Sequence, residues 1–197
     1  INHYVGGMFY FLIGENNPNQ IQLGVHCSSP YNWYTVYADL LNDGSFHEYT
    51  GSYNSATGLL FFRDGALMDQ LNFHCSSLRE IGQSPSIGGQ PGSQEDQRYH
   101  GLINEISVWT EALTADNILE NINNGINGES ENLAAFWTFN AGAGDILYDH
   151  SGNGNHGTIY GAEWSINIPC SACGCTNPDA CNYDPEATED DGSCQYL

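Results

Sequence analysis

Along residues 1–110 apolar side chains recur at alternate positions or in short runs, and turn-forming residues punctuate them. In "QIQLGVH" (20–26), Ile21, Leu23 and Val25 alternate with Gln22, Gly24 and His26, the pattern of a strand with one buried face and one wet face. "MFYFLIG" (8–14), "WYTVYADL" (33–40), "FHEYTGSY" (46–53) and "LLFFRDG" (59–65) are rich in aromatic and β-branched residues. "ENNPN", "CSSPYN" and "NDG" separate them as turns. "HGLINEISVW" (100–109) alternates as well, with Leu102, Ile106 and Val108 on one face and Asn104 interrupting it. One segment departs from this period. Ile118, Leu119 and Ile122 form an apolar stripe at helical spacing, with Thr114 as N-cap, Asp116 in the first turn and Gly125 as the stop. That short helix is expected to plug one edge of an all-β structure. Strands at this spacing, with no interleaved helices, predict an antiparallel sandwich or barrel.

The same pattern divides the chain. Residues 1–123 form the main strand-rich unit, and "NGINGESEN" (124–132) reads as a linker. Residues 133–168 return to strand and turn, and 169–197 have almost no apolar content.

Charge narrows the function classes. The chain has 24 acidic residues, no lysine and three arginines (Arg63, Arg79, Arg98), for a formal net charge of -21. It offers no basic patch for phosphates, which excludes nucleic acid as a partner and sets it against anionic membranes. No apolar run approaches the roughly 18 residues of a spanning helix, so membrane insertion is not expected. Ile1 is not an initiator methionine, and the chain reads as a processed product or a fragment of something longer. Of seven cysteines, Cys27 and Cys75 stand apart, while Cys170, Cys173, Cys175, Cys181 and Cys194 crowd the end. Cysteines beside acids and small residues fit an oxidising, extracellular setting. The rival is a zinc knuckle at "CSACGC", for which no second pair of matching spacing occurs. The odd count leaves one thiol free or paired with residues beyond this chain.

Several constellations could carry chemistry. "DHSGNGNHG" (149–157) is rich in residues that tolerate left-handed backbone, so it forms a tight turn. It also places oxygens at alternate positions: Asp149, Ser151, Asn153 and Asn155, with Gly154 at the bend, much as in a calcium loop. The closing position falls on Tyr160 rather than a bidentate acid, so Asp145 or Glu163 would have to complete the shell. The alternative is a turn whose side chains bond its own backbone. Cys27 and Cys75 each precede Ser-Ser in segments expected to be neighbours, which favours a cross-sheet disulfide over two buried thiols. Seven histidines are scattered with no metal-ligand spacing, and His26 and His74 next to those cysteines are expected to be structural. Tyr31, Trp33, Tyr34 and Tyr37 cluster at a loop-to-strand junction. Among aromatics that could stack on sugar rings, Tyr31, Trp33 and Tyr34 are the best placed, against the alternative that they are core. Catalysis on such a fold would be glycoside hydrolysis by two carboxylates about 5 Å apart. Glu105 and Glu111 are evenly spaced, but the chain lacks the Glu-x-Asp-x-x-Glu strand pattern of jelly-roll glucanases, so it does not resemble those enzymes and an enzyme is not expected.

"FHEYTGSYNSATGLLFFRDGAL" (46–67), "SIGGQPGS" (86–93) and "YHGLINEISVWTEALTADNI" (99–118) resemble, in order, the motifs of laminin-G-like, concanavalin A-like domains. The resemblance covers about residues 4–123 and implies an antiparallel jelly-roll β-sandwich with one short helix. It also implies that the first strands lie upstream of residue 1 or are supplied by 133–164. "LAAFWTFNAGAGDILYDHSGNGNHGTIYGAEW" (133–164) is similar to a stretch that opens or trails such domains in large secreted surface proteins. "GCTNPDACNYDPEATEDDGSC" (174–194) resembles a cysteine-bounded repeat near the ends of secreted proteins of marine, Bacteroidetes-like bacteria. The repeat implies a staple from Cys175 to Cys194. Its further cysteine is replaced here by Glu189, so Cys181 would pair with Cys170 or Cys173. Within it Asp179, Asp184, Asp190 and Asp191 are either openly solvated or hold a second calcium.

The expectation is therefore a secreted, non-catalytic recognition module, calcium-binding, contacting glycan or protein at a cell or matrix surface. A structural subunit of an extracellular filament that self-assembles through strand edges is the alternative, with a glycoside hydrolase third.

Overall fold

The long strand β3 (Gln20–Ser29) is the centre of the fold in the computed structural model. The structure describes residues 2–5, 9–13, 19–29, 31–41, 43–79, 85–89, 99–165, 173–174, 177–178, 183 and 189–190. Strand β2 (Phe9–Ile13) pairs with one edge of β3 and β4 (Tyr31–Asp39) with the other, while β1 (Asn2–Val5) extends the sheet beyond β2. A second sheet has the order β5 (Tyr49–Asn54), β6 (Gly58–Arg63), β7 (Ala66–Leu71). The chain then returns to the first sheet as β8 (Ser77–Leu78), which pairs with the far end of β3. Strand β9 (Glu105–Trp109) leads to helix α1 (Ala115–Asn124), and β10 (Leu133–Thr138) comes back antiparallel to β9. Short pairs follow: β11 (Ile146–Leu147) with β12 (Gly157–Thr158), and, in parallel, β13 (Cys173–Gly174) with β14 (Glu189–Asp190).

Alternation in β3 sets its inner face as expected, but the face expected to be wet is covered: Gln22, Gly24 and His26 are buried too, under side chains of the neighbouring strands such as Tyr10 and Trp33. Ile21, Leu23, Val25 and Cys27 are buried with Val36 and Ala38 of β4; Leu59 and Phe61 meet them from the second sheet, and Cys75 from the connection that follows it. Phe11 packs edge-on against Phe61 at 5.9 Å between ring centres, and Phe73 stacks between Tyr34 and Tyr53. Burying eight or so such side chains supplies most of the driving force, at roughly 1.5–3 kcal/mol each. Cys27 and Cys75 form a disulfide with Cα atoms 5.5 Å apart. The expected bond forms, but it ties β3 to the connection between β7 and β8 rather than to a strand of the second sheet.

The second sheet turns at Asp64-Gly65, where both residues have positive φ (51° and 76°), the conformation a two-residue hairpin needs. Asp64 also braces the entry to β5. Its carboxylate accepts from the Glu48 N–H at 3.0 Å and meets His47 Nδ1 at 2.8 Å, and this bond raises the His47 pKa. Helix α1 begins at Thr114, whose hydroxyl accepts from the Asn117 N–H at 3.2 Å while Asn117 bonds back to the Thr114 N–H, a reciprocal cap. Gly125 ends it at φ 74°.

Three details differ from the sequence expectation. Only Ile118 of the helical stripe is buried, while Leu119 and Ile122 stay partly exposed over the Gly65 turn, so α1 covers a hairpin rather than plugging a sheet edge. The strand expected over 100–109 starts at Glu105, and Leu102 is exposed. β7 was not marked by alternation: five of its six residues are exposed, so it has no buried face to reveal it.

Gly58 closes the β5–β6 hairpin at φ 79°, and a Cβ there would run into the backbone of Leu71 and Asn72. Gly44, at φ 86°, has open space around it. Gly58→Ala is predicted to lose about 3 kcal/mol in urea denaturation, from backbone strain plus collision, and Gly44→Ala about 1 kcal/mol from strain alone. Equal losses would show that the approach of β7 is not a constraint.

Candidate functional site

The two faces of β4 have different fates. Even-numbered Val36 and Ala38 are buried and Tyr34 lies on the core, its ring stacked on Phe73 at 3.8 Å and 6°. Tyr34 is therefore a packing residue and not an exposed sugar contact. Odd-numbered Tyr31, Trp33 and Tyr37 point outward with 69%, 44% and 39% exposure. Register then sets what lies beside them: Trp33 faces His26, Tyr31 faces Ser28, and Thr35 faces Gly24.

His26 is 1% exposed and its ring stacks on Trp33 at 3.8 Å and 19°. Tyr31 meets the same imidazole edge-on at 4.8 Å, and Tyr10 meets Trp33 edge-on at 5.5 Å. Tyr10 reaches this position because Gly24 has no side chain; a Cβ there would collide with the tyrosine ring. The Tyr10 and Thr35 hydroxyls bond at 3.0 Å. Arg79, just past β8, closes the group. Its backbone N–H donates to the His26 carbonyl at 3.0 Å, and its Nη1 donates to the Tyr31 hydroxyl at 3.0 Å and lies 3.4 Å from His26 Nδ1. The guanidinium carbon is 5.5 Å from the Tyr31 ring centre, within cation–π range. Arginine can only donate, so His26 Nδ1 accepts and the ring proton sits on Nε2. Burial, then the Arg79 charge, lowers the His26 pKa and keeps the ring neutral. His26 Nε2 has no hydrogen-bond partner among the described residues.

Indole N–H groups distinguish Trp33 from the other tryptophans. Trp109, Trp137 and Trp164 donate theirs to Ser107 Oγ, the Asn155 carbonyl and the Gly144 carbonyl at 3.0, 2.9 and 2.9 Å. Trp33 donates its indole N–H to no acceptor among the described residues. The result is an aromatic surface with a donor uncommitted among the described residues and a cation at its edge, able to take a flat, oxygen-rich ring.

The 149–157 loop sits elsewhere, on the outer edge of β10. Asp149 is 7% exposed, and its carboxylate accepts the N–H groups of Phe136, Ser151 and Asn155 at 2.9, 2.9 and 2.8 Å. Burial pushes its pKa up, but those donors outweigh burial and hold it at about 2. Asn153 and Asn155 turn their amide N–H groups to the carbonyls of Leu133 and Ala134, and the Ser151 hydroxyl also reaches Ala134. His156 Nδ1 accepts the Asp149 N–H at 3.0 Å. Asp145 and Glu163 are exposed, and among the described residues no group of three or more His, Cys, Asp or Glu could hold a metal. The loop side chains serve the β10 backbone. A calcium ion at Asp149 would have to share a carboxylate that already accepts three N–H groups.

With both sites in view, comparison with known proteins places the fold. The family model described as the concanavalin A-like lectin/glucanases superfamily, of laminin-G type, matches residues 2–119. The chain belongs to this superfamily. A candidate carbohydrate-binding protein of Bacteroides ovatus, solved at 1.50 Å, superposes with a TM-score of 0.64 at 19% identity, over 84% of this chain and 50% of that one. Curated relatives match over a short stretch only. Ribulose bisphosphate carboxylase/oxygenase activase of Spinacia oleracea is 51% identical over 43 residues, and activase 1 of Larrea tridentata is 54% identical over 43 residues. Those stretches are 21% and 20% of this chain, which spans 9% of either relative's length.

The concanavalin A-like superfamily holds both lectins and glucanases, so carboxylates matter. Glu105 starts β9, and Glu111 follows its end. Burial and then the nearby charge of Glu48 raise the Glu105 pKa, whereas nothing described ties Glu111 to it. Neither lies among the aromatics of the outer face. The expected second calcium ligands Asp179, Asp184 and Asp191, and the cysteines Cys175, Cys181 and Cys194, lie outside the described residues. So do the side chains of Cys173 and Asp190. Sequence reading also missed Arg79. Its signal was scarcity, one of three arginines in a chain without lysine.

Asp149→Ala is predicted to cost about 2 kcal/mol, the worth of lowering its pKa from 3.8 to about 2. The sign follows from a depressed carboxylate: this stability is in place above pH 3.8 and is lost as pH falls toward about 2. Melting temperatures in EDTA and in millimolar calcium should be equal. A calcium-dependent rise that vanishes in Asp149→Ala would instead assign this carboxylate to a cation.

Proposed function

We propose that the chain is a non-catalytic saccharide-binding module of an extracellular protein, and that Trp33 and Tyr31 take the sugar ring on the outer face of β3 and β4. The observation that carries this is the state of Trp33. It is supported from beneath by His26, exposed above, and has an indole N–H without an acceptor among the described residues. A sugar offers a C–H face for the ring and hydroxyls for the donor. Such a surface costs little to organise before binding, because the stack on His26 and the contact with Tyr10 already restrict Trp33. The fold shared with the Bacteroides ovatus protein agrees with this reading, and the Cys27–Cys75 disulfide agrees with an oxidising compartment. Capture on this platform involves no calcium.

A filament subunit is the second reading. Leu67, Met68 and Leu71 of β7 are 49%, 37% and 37% exposed on a strand that pairs only with β6 among the described residues.

Screening on a glycan array followed by calorimetry tests the proposal. Trp33→Ala is predicted to weaken the best oligosaccharide about tenfold or more, and Tyr31→Ala several-fold, with calcium and EDTA giving equal affinities. Tyr34→Ala should instead lower stability by about 2–3 kcal/mol through lost core packing. Unchanged affinity in folded Trp33→Ala overturns the assignment. Concentration-dependent assembly in sedimentation, with no glycan bound, favours the filament.

A further inference from the structure

We infer that the saccharide bound here carries an anionic group, a carboxylate or a sulfate ester, and that the Arg79 guanidinium recognises it. The inference rests on the platform being a saccharide site and adds the chemical class of the ligand.

Arg79 is unusual in its surroundings. The chain has 24 acidic residues against three arginines, so a carboxylate partner would be easy to supply. Yet both ion pairs among the described residues belong to His47, and Arg79 has none. Its side-chain partners are all neutral: the Tyr31 hydroxyl, the Tyr31 ring and His26 Nδ1. Each hydrogen bond uses Nη1, which leaves Nε and Nη2 uncommitted among the described residues. A partly buried cation without a counter-ion is costly to maintain.

The fold nonetheless fixes it there. Its backbone bonds to His26, Leu78 before it pairs with Cys27, and Cys75 is tied to Cys27. His26 accepts a hydrogen bond and so supplies neither a counter-charge nor a second cation. Tyr31 orients the guanidinium plane beside the exposed ring on which the sugar would lie. A planar fork of this kind matches the two oxygens of a carboxylate or sulfate, and charge-assisted pairs are roughly twice as strong as neutral ones. An acidic sugar would bring the counter-charge that Arg79 lacks among the described residues. By contrast, Arg63 spends its Nη1 on the Asp39 carbonyl at 3.2 Å, an ordinary structural contact.

The test uses the full chain on an array of neutral, uronate-containing and sulfated oligosaccharides. Hits should fall among the uronates or the sulfated sugars. Calorimetry then compares the strongest hit with its carboxyl-reduced or desulfated form, which should bind about tenfold more weakly; the form that loses affinity identifies the anion. Arg79→Gln should bring the charged ligand down to the affinity of its neutral form, and Arg79→Lys should recover part of the difference. If Arg79→Gln does not fold, the comparison of the two ligands on the wild-type chain decides. Neutral hits with equal affinity before and after Arg79→Gln would overturn the charge requirement and leave the platform standing. Absence of binding on every arm by the folded protein would overturn both.

Discussion

The structure depends on how β3 is pinned between its two faces. Its inner face is fixed by apolar packing and by the disulfide from Cys27 to Cys75, residues 48 apart in sequence. In the chain-entropy account, closing such a loop is worth about 4 kcal/mol. The same bond draws the chain back to the end of β3, where β8 pairs and Arg79 arrives beside His26. The outer face can therefore carry an exposed tryptophan and tyrosine without collapsing, because the residues beneath them are already held. Core stability and surface chemistry are properties of one strand pair.

A second constraint governs the later part of the chain. β10 has β9 on one edge and no strand on the other among the described residues. An open edge leaves backbone groups without partners and invites pairing with other chains. Here the 149–157 loop takes the place of a strand, side chain by side chain. Asp149 receives the Phe136 N–H, while Ser151, Asn153 and Asn155 cover the carbonyls of Leu133 and Ala134. A glycine- and asparagine-rich stretch is suited to this, since its short polar side chains can reach main chain in a tight bend. The Asp149 carboxylate charge is met by N–H dipoles, and Asn153 and Asn155 engage the β10 backbone through their amide N–H groups.

Much of the fold was legible because it rests on short-range signals. Period-two alternation on the inner face of β3 and the Thr114 cap each follow from a few neighbouring residues. β7 escaped because it buries little, and the strand before Trp109 was drawn too long because Leu102 is apolar yet exposed. In β4 the sequence grouped Tyr31, Trp33 and Tyr34, whereas the structure exposes the first two and packs Tyr34 on the core. Alternation itself separates Tyr31 and Trp33 from Tyr34, since odd and even positions face opposite ways. Arg79 could not be placed that way. It lies 46 positions beyond Trp33 in number order (79 less 33) and reaches the site only through β8 pairing. Long-range pairing of that kind leaves no local trace.

The central claim is that Trp33 is the ring on which a saccharide rests, and the four tryptophans allow a direct measurement. In nitrogen–proton correlation spectra each indole N–H gives its own signal. Three are committed to protein acceptors, at Trp109, Trp137 and Trp164. Titration with the tightest-binding oligosaccharide should move the Trp33 indole signal, assigned through Trp33→Phe, and leave the other three in place. Movement confined to any of those three, or binding by calorimetry with no movement of Trp33, would contradict the account.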